Sequence, residues 1–197
     1  METSKNQAVL LGVAGEAPRL SHSNHGVDYY TFPLAVERLS GAVDTLNIVL
    51  PRPLLDRCPV EAGGCYRLTG EVRSFNNHSG EGARLVITFL ARTVEAGEGE
   101  HENSLHLSGV LCKAPVLRRT PLGREICDML LAVNRRYGRS DYLPCIAWGS
   151  LARQCGELTV GSQVALHGRL QSRTYRKVEG EVESQRTAYE ISVMELE

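Results

Sequence analysis

Four aromatic residues, Tyr137, Tyr142, Trp148 and Tyr175, are interleaved with Arg135, Arg136, Arg139, Arg169, Arg173, Arg176 and Lys177. Flat π-faces beside cationic side chains suit the binding of an unpaired nucleic-acid strand. Every base can stack on an aromatic ring, for about 1–3 kcal/mol each, while arginines neutralise the phosphates. Trp148 is the single tryptophan of the chain. Tyr142 and Trp148 stand six positions apart, so on a strand both point to one face. The competing reading of Trp148 is a residue that fills the core.

The charge distribution supports the same chemistry. The 197 residues carry 22 Lys and Arg against 23 Asp and Glu, a net of −1. Residues 103–178, however, hold 12 Lys and Arg against 4 Asp and Glu, a net of +8, whereas residues 1–97 are balanced at −1. Acidic segments flank the basic block on both sides. A whole-chain charge near zero would argue against a polyanionic partner; this polarity argues for one.

The elements that must carry these residues are written twice. Residues 6–58 and 103–155 match at a constant offset of 97, through Asn6/Asn103, Gly12/Gly109, Pro18/Pro115, Leu34-Ala35-Val36/Leu131-Ala132-Val133, Arg38/Arg135, Asp44/Asp141 and Cys58/Cys155. After one inserted residue the match resumes with Gly70/Gly168 and Ser74/Ser172. A duplicated domain follows: 1–95, a linker at 96–102 rich in Gly and Glu, and 103–197. Period-two alternation in the second copy predicts strands over 103–111, 125–134, 142–148, 163–175 and 187–196, with a short helix at 150–155 and a polar hairpin tip at 177–185. The first copy repeats the order over 7–13, 28–38, 44–50, 53–57, 65–75 and 84–93. Five strands with a helix between the third and fourth is the order of the OB-fold, so the predicted class is all-β, two tandem five-stranded Greek-key barrels. A ten-stranded sandwich is the competing fold, which the clean repeat disfavours.

At these residues the sequence resembles the bacterial single-stranded DNA-binding protein family, in a tandem OB-fold form. The resemblance rests on Gly109, Pro115, Leu117-Arg118, Thr120-Pro121 and Gly123, on Leu131-Ala132-Val133-Asn134-Arg135, on Asp141-Tyr142 through Trp148-Gly149, and on Gly168-Arg169-Leu170, Ser172-Arg173 and Tyr175. It covers the second copy closely and the first more loosely. It implies a non-catalytic protein that coats single-stranded DNA with little sequence preference, in replication, recombination or repair. Stacking would fall to Tyr142, Trp148 and Tyr175. Basic contacts would fall near Arg118, with Arg119 beside it, and near Arg135 and Arg173. Because the family usually assembles four OB-folds, two per chain imply a homodimer.

The first copy departs from that pattern. Thr45, Pro51 and Asn77 replace the three stackers, while Glu37, Leu39, Ala42 and Glu71 replace Asn134, Arg136, Arg139 and Arg169. A scaffold or dimerisation role is expected there, although Tyr29, Tyr30, Phe32 and Phe75 remain. The acidic C-terminal recruitment tip common in the family is not expected to act here. An OB-fold protein adaptor of a replisome or primosome, and an RNA-binding protein, are the alternative readings; nothing in the residues separates RNA from DNA.

Other classes find little support. No apolar run approaches the roughly 18–20 residues of a membrane span, and the N-terminal residues lack the features of a secretory signal. The six cysteines contain no C-x-x-C pair and most sit in apolar patterns, which predicts free thiols and a cytoplasmic protein; the family resemblance adds that it is bacterial and nucleoid-associated. The six histidines are scattered, so no metal site, cofactor or catalytic group is expected. Gly12-Val13-Ala14-Gly15 lacks the lysine of a phosphate loop.

Overall fold

The alternating burial along Tyr66, Leu68, Val72 and Ser74 shows how one face of a strand is turned to a core and the other to solvent. In a computed structural model that describes residues 5–81 and 83–197, twelve strands occur, most of them two-faced in this way. The first half holds β1 (Asn6–Ala14), β2 (Arg19–Asn24), β3 (Val27–Glu37), β4 (Val43–Pro51), α1 (Arg52–Arg57), β5 (Cys65–Asn76) and β6 (Leu85–Ala96). The second holds β7 (Glu102–Leu111), β8 (Val116–Arg119), β9 (Glu125–Asn134), β10 (Ser140–Trp148), α2 (Ser150–Gly156), β11 (Gln163–Glu179) and β12 (Val182–Leu196).

Each half closes on itself. In the first, β1 pairs with β3 and β5, β3 with β4, β5 with β6, and β4 with β6 in parallel. The second repeats this through β7, β9, β10, β12 and β11. That circuit is the five-stranded Greek key of an OB-fold. Leu34, Leu46, Ile48, Leu50, Leu68 and Phe89 are fully buried in the first half, with Leu107, Leu111, Leu131, Leu143 and Leu166 in the second. Phe32 belongs to this core, which removes it from the candidate stackers.

Two expectations are revised. β2 and β8 add a sixth strand to each half, and both are exposed along their whole length, so no alternation announces them. The hairpin tip predicted at 177–185 is in fact strand on both sides, and only Gly180 and Glu181 turn between β11 and β12. Gly168 explains the shape of that hairpin. A register shift separates His167 from Gly168, and a Cβ on Gly168 would lie 2.3 Å from the Ser192 carbonyl oxygen. Only glycine lets the strands cross this closely. Gly70 occupies the same place in the first barrel, with its Cβ position 2.2 Å from the Leu90 carbonyl.

β1 and β7 pair antiparallel, from Asn6 opposite Leu107 to Leu11 opposite Glu102, and so join both barrels into one sheet. A reciprocal clamp reinforces this seam. Asp44 accepts hydrogen bonds from Arg38 Nε at 2.8 Å and from the Ser172 N–H of the other barrel at 2.9 Å. Its counterpart Asp141 accepts from Arg135 Nε at 2.7 Å, from Arg73 Nη1 of the other barrel at 3.0 Å and from the Ser74 N–H at 2.7 Å. The serines answer in turn: Thr45 N–H donates to Ser172 Oγ at 3.1 Å, and Tyr142 N–H donates to Ser74 Oγ at 2.7 Å. Both carboxylates are fully buried, and their lone pairs are satisfied jointly, by an arginine of the same barrel and by donors of the opposite one. Hydrogen bonding to Asp44 holds the Arg38 guanidinium above its ordinary pKa.

Candidate nucleic-acid interface

Tyr142 and Trp148 lie on β10, where Leu143, Cys145 and Ala147 turn inward. Their rings point outward, 46% and 41% exposed, so Trp148 is a surface residue and does not fill the core. The seam sets the height of Tyr142 through its hydrogen bond to Ser74, while Gly149, at φ 61, ends the strand beneath Trp148 and donates its N–H to the Glu125 carbonyl.

Tyr175 is 39% exposed and stands on the part of β11 that has left the barrel. From Arg173 to Glu179 most of β11 is open to solvent, and it pairs only with β12. This projecting ribbon carries Arg173, Arg176 and Lys177. The Arg173 guanidinium lies 5.7 Å from the Tyr175 ring centroid, within cation–π range, and 3.4 Å from Glu190. Arg176 pairs with Glu183 and Lys177 with Glu179, all at exposed positions. Contact with Lys177 holds the Glu179 carboxyl below its usual pKa. Exposed ion pairs of this kind contribute at most about 1 kcal/mol, so an incoming phosphate can exchange for the carboxylate.

The loop between β9 and β10 presents the least encumbered charges. Tyr137 is almost wholly exposed and sits in the left-handed region at φ 67, which turns it out between Arg136 and Arg139. Neither arginine side chain makes a hydrogen bond or ion pair among the described residues, and both are exposed. On the β8–β9 hairpin Arg118 is bound to Asp128 at 2.6 Å, which raises its pKa, and Arg119 lies 3.4 Å from Glu125. The turn of this hairpin adds Leu122, 85% exposed, and Arg124. Sequence reasoning missed both, though a basic block interrupted by Pro121-Leu122-Gly123 marks a projecting turn.

Two arginines of the basic block are placed otherwise. Arg135 serves the seam: besides Asp141 it donates to the Ser74 carbonyl at 2.8 Å. Arg169 is half-buried, and its Nε is sealed without a hydrogen-bond partner among the described residues. Burial and then the neighbouring Arg38 lower its pKa. These two face the partner barrel, not the open surface that holds Tyr142 and Trp148.

The first barrel offers the same backbone with other side chains. Thr45 takes the place of Tyr142 on the equivalent serine bond. Its aromatics are engaged locally, His22 stacked on Tyr29 at 4.9 Å and Tyr30 beneath Arg52, while Phe75 is exposed.

Barrels closed by this circuit of five strands define the OB-fold. Comparison with known proteins agrees. The model of the single-strand binding protein family matches residues 102–197. Single-stranded DNA-binding protein 2 of Chlorobaculum tepidum is 33% identical over 105 residues, which cover 48% of this chain and 69% of that protein. Single-stranded DNA-binding protein A of Bacillus subtilis is 35% identical over 86 residues, 40% of this chain and 50% of its own length. The single-stranded DNA binding protein from Thermus aquaticus superposes over 100% of this chain and 93% of its own, with a TM-score of 0.81 at 22% identity. The chain belongs to the single-strand binding protein family. It spans about half the length of several curated relatives that it matches.

Proposed function

We propose that this protein binds single-stranded DNA without catalysis and with little sequence preference, using its second barrel (103–197) as the principal surface. The observation that carries this reading is the outward presentation of Tyr142, Trp148 and Tyr175 beside the Arg136–Arg139 loop and the β11–β12 ribbon. Bases stack on the rings, and the arginines follow the backbone phosphates. Arg118, Arg176 and Lys177 supply charge once their exposed carboxylate partners are displaced, while Arg119 and Arg173 offer exposed guanidiniums whose partners, Glu125 and Glu190, are more buried. The first barrel (1–95) acts as a scaffold, joined through the short linker and the seam, because it keeps the clamp residues and has exchanged the stackers. Two chains pair so that four barrels are presented, in the bacterial cytoplasm with the nucleoid. No helix among the described residues is long and apolar enough to cross a membrane.

Fluorescence anisotropy with labelled oligo(dT), competed by duplex DNA and by oligo(U), tests this reading. Binding to oligo(dT) that duplex does not displace is expected, with an affinity that falls as salt rises. Preferential displacement by oligo(U) would make RNA the ligand. Absence of binding at low salt would return the chain to the protein-adaptor reading.

A further inference from the structure

His106, His167 and Glu197 are far apart in the chain, yet their ligating atoms lie within 4.8 Å of one another. The fold explains the meeting. His106 of β7 is paired directly opposite His167 of β11, so both side chains emerge on one face. The rings stack with centroids 4.3 Å apart. Glu197 follows β12, is anchored by its own N–H to the Ala165 carbonyl at 2.9 Å, and extends its carboxylate across both rings. One oxygen, Oε1, is 2.8 Å from His167 Nε2 and 2.9 Å from His106 Nε2.

The two imidazoles are not equally satisfied. His167 Nε2 forms a hydrogen bond with the carboxylate. His106 Nε2 is sealed from solvent and, despite the short separation, lies off the direction a hydrogen bond requires. It has no hydrogen-bond partner among the described residues. A hydrogen-bonded His–Glu pair accounts for His167 and leaves the His106 nitrogen orphaned. A cation between the three atoms accounts for both. The first barrel lacks the arrangement, since Val9 and Thr69 hold the positions of His106 and His167.

We propose that His106, His167 and Glu197 form a binding site for a divalent transition-metal ion, with zinc the best fit. Two imidazole nitrogens and one carboxylate oxygen are the donors that borderline cations favour. Tetrahedral ligation at about 2.0–2.1 Å separates ligand atoms by roughly 3.3 Å, so the atoms need to part by about half an ångström. Both histidines line a groove of about 600 Å³ over the β1–β7 seam, from which a water would complete a four-coordinate shell. The ion would tie β7, β11 and the end of β12 together. Its site precedes Arg173 by six residues on β11, roughly 20 Å along the strand, and so stands apart from the projecting ribbon.

The test uses the full chain after removal of metals with a chelator, titrated with Co²⁺ and then with Zn²⁺. The expected result is one ion per chain at about micromolar metal. Bound Co²⁺ should show a tetrahedral visible spectrum without thiolate charge-transfer bands, and Zn²⁺ should displace it. His167→Ala, at an exposed position, should weaken binding at least tenfold and abolish a zinc-dependent rise in Tm, with the metal-free Tm retained. His22→Ala should change neither. Lack of saturable binding, thiolate bands, or unaltered affinity in the His167→Ala protein would each overturn the proposal.

Discussion

Replacing Asp141 by alanine probes the seam where its energetics are most concentrated. The Asp141 carboxylate is 1% exposed and receives Arg135, Arg73 and the Ser74 N–H. Alanine would leave the Arg135 guanidinium, only 26% exposed, without its carboxylate, while Arg73, 19% exposed, keeps Glu71 as its counter-charge, and it would strand a buried N–H. Breaking a buried pair from one side costs about 3–5 kcal/mol. Because both arginines retain some access to water, the low end, about 3 kcal/mol, is expected. At about 2–4 °C per kcal/mol for a chain of this size, Tm should fall by roughly 6–12 °C. Asp128→Ala is the matched control. It removes a similarly close Arg–Asp contact, to Arg118 at 2.6 Å, but both partners are about half exposed, so the loss should stay within about 1 kcal/mol. Calorimetry on both variants decides the matter. Equal shifts, or a fall below about 2 °C for Asp141→Ala, would refute the view that burial makes this clamp the tie between the barrels.

Arg136→Ala and Arg139→Ala should each lower the slope of log affinity against log salt by about 0.7, whereas Arg135→Ala should lower Tm and leave the slope nearly unchanged. Gly168→Ala forces a methyl against the Ser192 carbonyl and should cost about 1–3 kcal/mol in urea denaturation, while Gly180→Ala, with open space around it but φ at 66, should cost less. Burial pushes the Cys155 thiol up to about 11 and the Cys145 thiol up further, so neither should react with a thiol reagent at pH 8 until denaturant is added. These thiols stay protonated in the fold where an unfolded chain releases protons. Their contribution to stability is therefore intact below about pH 8.5 and is lost as pH rises toward 11.

The barrel was legible because its strands alternate and because the chain repeats itself. Leu34, Leu46, Leu68 and their counterparts are inward in both copies, as period two requires. β2 and β8 were not legible, since edge strands with both faces in water carry no alternation. The candidate stackers were chosen by type and spacing, and Tyr142 and Trp148 do share a solvent-facing side of β10. Arg135 shows why charge alone misleads. It sits in the basic block, but it recurs as Arg38, and what both copies keep, Arg38/Arg135, Asp44/Asp141 and Ser74/Ser172, is the machinery that joins them. Residues peculiar to one copy point to its surface. The His106–His167–Glu197 cluster had no linear signature, because strand pairing alone brings together residues from β7, β11 and the end of β12.

The most direct test of the central claim is Trp148 fluorescence during titration with oligo(dT) at low and moderate salt. Because the only tryptophan lies exposed on β10, strong quenching that shifts to higher DNA concentration as salt rises is the predicted result. Tyr142→Ala should weaken that binding about 5- to 150-fold without altering the salt slope. Unchanged fluorescence under conditions where the oligonucleotide is bound would place the strand elsewhere and contradict the account.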